Sequence, residues 1–477
     1  MKKIMAILLL SGLCSSAQNK AVQNVAKQTT VADLKTTLYY LASKELNGRR
    51  TSSRGDTLAS LYVANSFKRN HLVAPYKNYF QPVPVERIIP VVSNLSIGGK
   101  QYEEFKDWDR ITYGSSIQAK DVPVVFAGYG DDDKDFEGVN VKGKAVLFLN
   151  GSPSANLTTA AKLARLKEKG AFLAIRYGDV LPKNQSVRDF VNSSYNPDIL
   201  PLFIISEDLA NVLLTGSNTS VRQLETISKQ EHHSFVLNKT ITVSSETKLK
   251  KEQAPNVIGY IRGTDTSAAC VIVSAHHDHC GGEGNEIYYG AVDNASGTVA
   301  LMQMAALMDK AVQKRYRPKR AIVFASFTGE EAGLLGSYYY ADHPVFPVEK
   351  TFAVMNIDMM GRVDTVYSGK RADSNYAYIL VKDTLNRGLR QALYNANDSS
   401  VRLHLDTYYE QPAFTARRLM GSDQYPLYLK GVPFLRIDCG FSTDYHKPTD
   451  TPDKINYSLL SKQVQLAFLT LWNIANN

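Results

Sequence analysis

Apolar positions recur at helical spacing early in the chain, first Val31, Leu34, Leu38 and Leu41, then Leu58, Leu61, Val63 and Phe67, with a polar break at 49–55 between them. This predicts helices within 31–73 and a strand around 79–87. Near residue 92 the texture changes to short apolar runs between glycines, at 122–130 and 141–149. A helical stretch at 158–169, strand-like runs at 171–175 and 201–205, and a further short helix complete a small mixed module. From about 254 the order becomes strand, loop, helix, repeated. The runs at 271–275, 321–327, 352–357 and 433–437 are predominantly apolar rather than alternating. That is the mark of strands buried on both faces of a largely parallel sheet, with helices at 297–311 and 457–474 to cover it.

At 477 residues the chain exceeds one typical core, so two domains are expected, and 44% apolar with 21% charged residues excludes a disordered chain. Residues 1–17 read as a signal peptide: Lys2 and Lys3, an apolar stretch at 4–13 too short to span a bilayer, and small residues at 15–17 that place cleavage near Ala17. The expected location is secreted or periplasmic. Cys14 opens a lipoprotein alternative, against which the bulky Leu13 argues. No later run is long and apolar enough for stable membrane insertion.

The formal charge of +9 is scattered, two units of it in the leader. Its densest run, 314–320, joins a predicted helix to a predicted strand without an aromatic stacking platform, so no nucleic-acid partner is expected. The acidic run 131–135 lacks calcium-loop spacing and reads as a polar loop. Of four cysteines, Cys270, Cys280 and Cys439 remain after cleavage, too few for a disulfide scaffold. Cys280 and Cys439, each following a predicted strand, are the candidate pair.

Where the apolar runs of the second half end, acids and histidines appear: His276 and Asp278, Asp293, Glu330 and Glu331, Asp358, and His446. Each alone has a bland reading: a stray His-x-Asp, a helix cap at Asp293, a solvated acidic loop, a surface histidine. In open α/β sheets, however, ligands collect beyond the carboxyl ends of the strands, so these segments converge. They supply enough donors for two zinc ions and leave one carboxylate for proton transfer, which points to metal-assisted hydrolysis. Glu330 and Glu331 are adjacent and cannot point the same way, so one suits a metal and the other a general base.

These segments resemble the co-catalytic two-zinc aminopeptidase family, whose relatives include glutamate carboxypeptidases, glutaminyl cyclases and transferrin receptors. The run from Gly329 to Ser337 is the most specific match, and the likeness covers about 254–477. The resemblance implies a mixed, largely parallel α/β sheet flanked by helices, of the zinc-exopeptidase, phosphorylase/hydrolase-like kind. A small α+β protease-associated domain at 92–238 would be inserted between peptidase parts at 18–91 and 239–477. It implies that His276 and Asp358 hold one zinc, Glu331 and His446 the other, Asp293 bridges both, Asp278 orients His276, and Glu330 is the general base toward a bridging water. The implied activity is removal of N-terminal residues from peptide substrates. Glutaminyl cyclisation, carboxypeptidase action (for which Arg362 and Arg436 are candidate carboxylate grips) and a non-catalytic binding role are the alternatives. Gln424 follows Ser422-Asp423 where the family has histidine, and Tyr445 either hydrogen-bonds the reacting carbonyl or packs. Side-chain preference and oligomeric state have no readable code.

Overall fold

The computed structural model describes residues 20–111, 116–151, 157–180, 189–192, 195–196, 198–283, 285–366 and 375–477. The signal-peptide segment, with Cys14 and Ala17, lies outside the described residues. The chain divides into two compact units, one made of the residues up to Val85 together with Glu252–Asn477, the other of Glu86–Lys251. Both boundaries fall inside continuous strands, Phe80–Ile97 and Ser234–Ile261.

In the first unit the strand order is His404–Asp406, Tyr376–Lys382, Phe434–Asp438, Thr351–Ile357, Cys270–His276, Ile322–Phe327 and the end of Ser234–Ile261. The four strands from Phe434–Asp438 to Ile322–Phe327 run parallel. Tyr376–Lys382 and residues 257–261 flank them antiparallel. The continuous apolar runs are explained by two cores. Val271, Val273, Phe324 and Met355 pack toward the helices Gly297–Gln313 and Tyr457–Asn476. Ile272, Val323, Ala325 and Val354 pack on the other face with Tyr340 and Leu427. Burying a Val or Ile side chain is worth about 1.5–3 kcal/mol, so both faces hold the parallel centre in place.

The helices Val31–Leu41 and Arg54–Arg69 bury Leu34, Leu38, Leu41, Val63 and Phe67 in the first of these cores. Thr30 and Ser53 cap them by accepting from Asp33 N and Asp56 N.

The second unit carries its own sheet. Ile117–Ala127, Ala145–Phe148, Leu173–Tyr177 and Leu202–Ile205 run parallel in that order, and Trp108–Arg110 closes the edge antiparallel. Trp108 stacks on Phe203 at 4.8 Å between ring centroids within its core. Among the described residues no helix is long and apolar enough to cross a membrane.

Cys270, Cys280 and Cys439 are all buried as free thiols, which corrects the expected pairing of Cys280 with Cys439. Being near strand ends on one sheet does not bring two sulfurs within bonding distance.

Candidate active site

All the singled-out acids and histidines lie at the carboxyl ends of the four parallel strands. His276 ends its strand and pairs in register with Phe327, whose strand leads into Glu330 and Glu331. Asp358 follows Thr351–Ile357, and His446 follows Phe434–Asp438. Asp293 precedes the helix Gly297–Gln313. Asn294 ties its loop to the next one: its Nδ2 donates to Ile357 O at 3.1 Å, and its Oδ1 accepts from Met359 N at 3.0 Å. Gly297 is required there, since a Cβ would stand 2.2 Å from Asn294 Oδ1 and 2.7 Å from Ile357 O. Asp450 accepts from the backbone of Val292 and Asp293 and fixes the other side of the turn.

The side chains form two donor groups that share Asp293. His276, Asp293 and Asp358 make one; His279, Cys280, Glu331 and His446 make the other. His276 Nε2 lies 3.5 Å from Asp293 Oδ1 and 3.5 Å from Asp358 Oδ1. His446 Nε2 lies 3.0 Å from Asp293 Oδ2 and 3.1 Å from Glu331 Oε2. Asp293 therefore turns one oxygen to each group. Despite these distances His446 Nε2 makes no well-directed hydrogen bond, as expected of donors aimed at a common point rather than at one another. Ligands about 2.0–2.1 Å from a tetrahedral zinc stand about 3.3–3.4 Å apart, which these spacings match. The residues present fit zinc, with Asp293 shared between the two groups.

Glu330 and Glu331 diverge. Glu330 Oε2 is 4.0 Å from His276 Nε2, while Glu331 faces His446 and His279. Burial pushes the Glu330 carboxyl well above its ordinary value, and Glu331, Asp358 and Asp423 add to that against His276. Burial also acts to raise Glu331, but His446 and His279 outweigh it and hold Glu331 low. Asp358 is likewise kept low against burial by Arg436 and His276. Burial would lower His276, yet Glu330, Asp278 and Asp358 raise it well above the usual imidazole value. Asp423, fully buried, is pushed up to about 7 chiefly by burial. So many acids in one dry place are costly without cations.

A cavity of about 40 Å³ opens on this cluster, lined among others by His276, Asp293, Glu330, Asp358 and Tyr445. A larger one of about 560 Å³, beside the helices Leu389–Asp398 and Tyr457–Asn476, has no ionisable side chain in its lining.

Some expectations change. Asp278 Oδ1 is 3.7 Å from His276 Nδ1, beyond hydrogen bonding, and the imidazole instead reaches Asp278 O at 3.2 Å. The Asp278 carboxylate accepts from Thr51 Oγ1 at 2.9 Å and from Glu330 N at 3.1 Å, so it fixes the loop of the neighbouring acid. Tyr445 stacks on the His446 ring at 4.0 Å and borders the cavity. Gln424, in the histidine position, accepts from Asn356 Nδ2 at 2.8 Å and donates to Leu419 O at 2.9 Å. That is a locking role. Arg436 donates to Asp358 and Asp438, and Arg362 to Asp444, so both candidate grips hold carboxylates of the chain itself.

Other contributors were not legible. His279 Nδ1 lies 2.7 Å from Glu331 Oε1. Its pKa is raised to about 10: burial acts to lower it, and Cys280 and Glu331 win. Arg49, in the supposed polar break, is buried and donates to the carbonyls of Leu41, His277, Tyr289 and Gly290. Asp56 meets His277 Nε2 at 3.1 Å and accepts from Thr328 Oγ1 at 3.1 Å. Of these, His279 alone carried a signal in the sequence, its place beside His276, His277 and Asp278.

Residues 256–470 match the description "Peptidase family M28". A glutamate carboxypeptidase 2 homolog of Caenorhabditis briggsae is 34% identical over 126 residues, 26% of this chain and 15% of that protein. A probable zinc metalloprotease of Pyrenophora teres f. teres is 32% identical over 238 residues, 46% of this chain and 48% of that protein. The chain thus spans less than half the length of these curated relatives. An aminopeptidase from Aneurinibacillus sp. strain AM-1 superposes with a TM-score of 0.67 at 19% identity, covering 95% of this chain and 96% of that one. At that identity the likeness is one of fold.

Proposed function

We propose, from the match of residues 256–470 to peptidase family M28, that the chain is a zinc-dependent exopeptidase, specifically an aminopeptidase holding two zinc ions. The observation that carries this is Asp293, with one oxygen toward the His276 and Asp358 group and the other toward the Glu331 and His446 group. His276, Asp358 and Asp293 would hold one ion; Glu331, His446 and Asp293 the other. Zinc bound there would polarise the scissile carbonyl and acidify water.

The chain's own part is proton transfer and positioning. Glu330 stands over the cavity with a raised pKa, suited to take a proton from the attacking water and return it to the leaving amine. Asp278, accepting from Glu330 N, keeps that acid in place. Asp293, Glu330 and Asp358 border the cavity, an acidic edge that suits a substrate's free ammonium terminus. It suits a substrate carboxylate less, because Arg418 and Arg436, which line the cavity, already hold Asp438 and Asp358.

Peptides with free or blocked termini, incubated with and without a chelator and read by mass spectrometry, test the reading. Stepwise loss from free N-termini that stops on chelation and returns with zinc is expected. Release from the C-terminus, or cleavage indifferent to chelation, would overturn it. The same reading takes residues 92–238, which fall within the unit Glu86–Lys251, as a protease-associated domain and the chain as secreted or periplasmic, on the strength of its glycine-punctuated strands and of Lys2, Lys3 and the small residues at 15–17. N-terminal sequencing of exported protein that found the leader intact would sink the latter.

A further inference from the structure

We propose that Cys280 is a fourth protein ligand of the centre built on Glu331, His446 and Asp293. This would close that centre and leave open coordination to the one built on His276 and Asp358; the inference rests on the function proposed above. The Cys280 sulfur, one ring nitrogen each of His279 and His446, and a Glu331 oxygen all lie within 4.8 Å of one another. Cys280 is fully buried and free. Its loop is pinned by Arg50 Nη1, which donates to Cys280 O at 3.0 Å, and by His279 N, which donates to Arg49 O at 3.2 Å.

A buried cysteine is ordinarily a small apolar residue, so the thiol alone decides nothing. Two further observations point to a ligand. His279 is fully buried, yet its Nε2 has no hydrogen-bond partner, and neither has His446 Nε2. Buried polar nitrogens are rarely left without a partner, and an ion or an ordered water is what such a place calls for. In addition, the cavity is lined by His276, Asp293, Glu330 and Asp358, whereas Glu331, His446, His279 and Cys280 are absent from its wall. The first donor group borders this cavity; in the second, His279 and Cys280 are buried while the His446 side chain is 23% exposed. Zinc sites with four protein ligands are structural, and those with an open position are catalytic. Here the two kinds would share Asp293. His279, at 2.7 Å from Glu331 Oε1, is placed to hold that carboxylate in position.

Zinc–sulfur distances are about 2.3 Å against about 2.0–2.1 Å for nitrogen, so X-ray absorption at the zinc edge separates them without any variant. The full chain is loaded with zinc, its metal content counted, and the spectrum recorded for wild type and Cys280→Ser. We expect two zinc per chain, one sulfur neighbour per pair, and loss of that neighbour in the variant. Graded chelation of wild type should release one zinc at least tenfold more readily than the other, a gap that narrows in Cys280→Ser. Two zinc per chain with only nitrogen and oxygen neighbours would overturn this inference and leave the proposed function standing. A folded chain that takes up no zinc would overturn both.

Discussion

Arg436 Nη2 donates to Asp358 Oδ2 at 3.0 Å, while Asp358 Oδ1 remains 3.5 Å from His276 Nε2. One oxygen of the carboxylate is thus occupied by a buried guanidinium, and the other is left for the donor group. Arg436 Nε also donates to Asp438 Oδ2 at 3.0 Å. Groups that orient metal ligands typically contribute 10–100-fold to metal affinity. Arg436→Met should weaken zinc binding by about that factor and destabilise the fold by about 3–5 kcal/mol, since two buried carboxylates lose a partner. Arg436→Lys keeps the charge but not the fork, so it should recover stability more fully than zinc affinity. Competitive zinc titration and urea unfolding separate the two effects. Unchanged affinity in both variants would remove Arg436 from the site's machinery.

The two adjacent glutamates should respond differently. Glu330→Gln is expected to lower kcat by about 10²–10⁴-fold with zinc content unchanged, as for loss of a general base. Glu331→Gln should instead lower zinc occupancy, because its oxygens stand 3.1 Å from His446 Nε2 and 2.7 Å from His279 Nδ1. Metal analysis beside a peptide-hydrolysis assay makes the comparison. Equal zinc loss in both variants contradicts the division of roles.

The site's pKa shifts set opposite pH trends for stability and for metal uptake. His279 is raised to about 10 in the metal-free fold, against burial, by Cys280 and Glu331. A raised pKa means the folded state binds the proton more tightly. That contribution is full below the unfolded value of about 6.5 and is lost as pH rises through about 10. Glu330, raised by burial, acts in the same direction from a lower starting pH. Glu331, held low by His446 and His279 against burial, acts oppositely and loses its contribution only under acid. Zinc needs its histidine ligands deprotonated, so its affinity rises over the window in which the metal-free fold weakens. The gap in Tm between zinc-loaded and chelated protein should therefore widen from pH 6 to pH 9. A gap that stays flat or narrows contradicts these shifts.

The parallel centre of the sheet was legible because both its faces are buried, which leaves a run at 352–357 that is apolar except at Asn356. The flanking strand Tyr376–Lys382 was not, for it pairs antiparallel at the flank and carries two tyrosines and a lysine. Asp293, Glu330, Asp358 and His446 stood out because each follows an apolar run. Arg49, Thr51 and Asp56 did not, although they brace the same loops from the far end of the sequence. A polar residue that will be buried by a distant segment looks locally like any solvated turn. His279 and Cys280 were hidden for a related reason: which residues of a short loop turn inward depends on the loops facing it.

Arg49 offers the sharpest test of that bracing. Its Nε donates to His277 O at 2.8 Å, Nη1 to Leu41 O at 2.6 Å and Tyr289 O at 2.8 Å, and Nη2 to Gly290 O at 2.9 Å. These carbonyls belong to an N-terminal helix, to the loop beside His276 and to the turn before Asp293. Only a planar fork reaches all four at once; a lysine ammonium is a point donor. Arg49→Lys should leave at least two buried carbonyls unpaired, at about 1–3 kcal/mol each. Since Asp293 N and Val292 N are also held by Asp450, the turn should loosen rather than collapse, and zinc affinity should fall more than about tenfold. Arg50→Lys, one residue away and donating to Cys280 O at 3.0 Å, serves as the comparison in unfolding and should cost less than Arg49→Lys. Equal losses in the two variants in unfolding would mean that the fork at Arg49 does not hold the metal loops together.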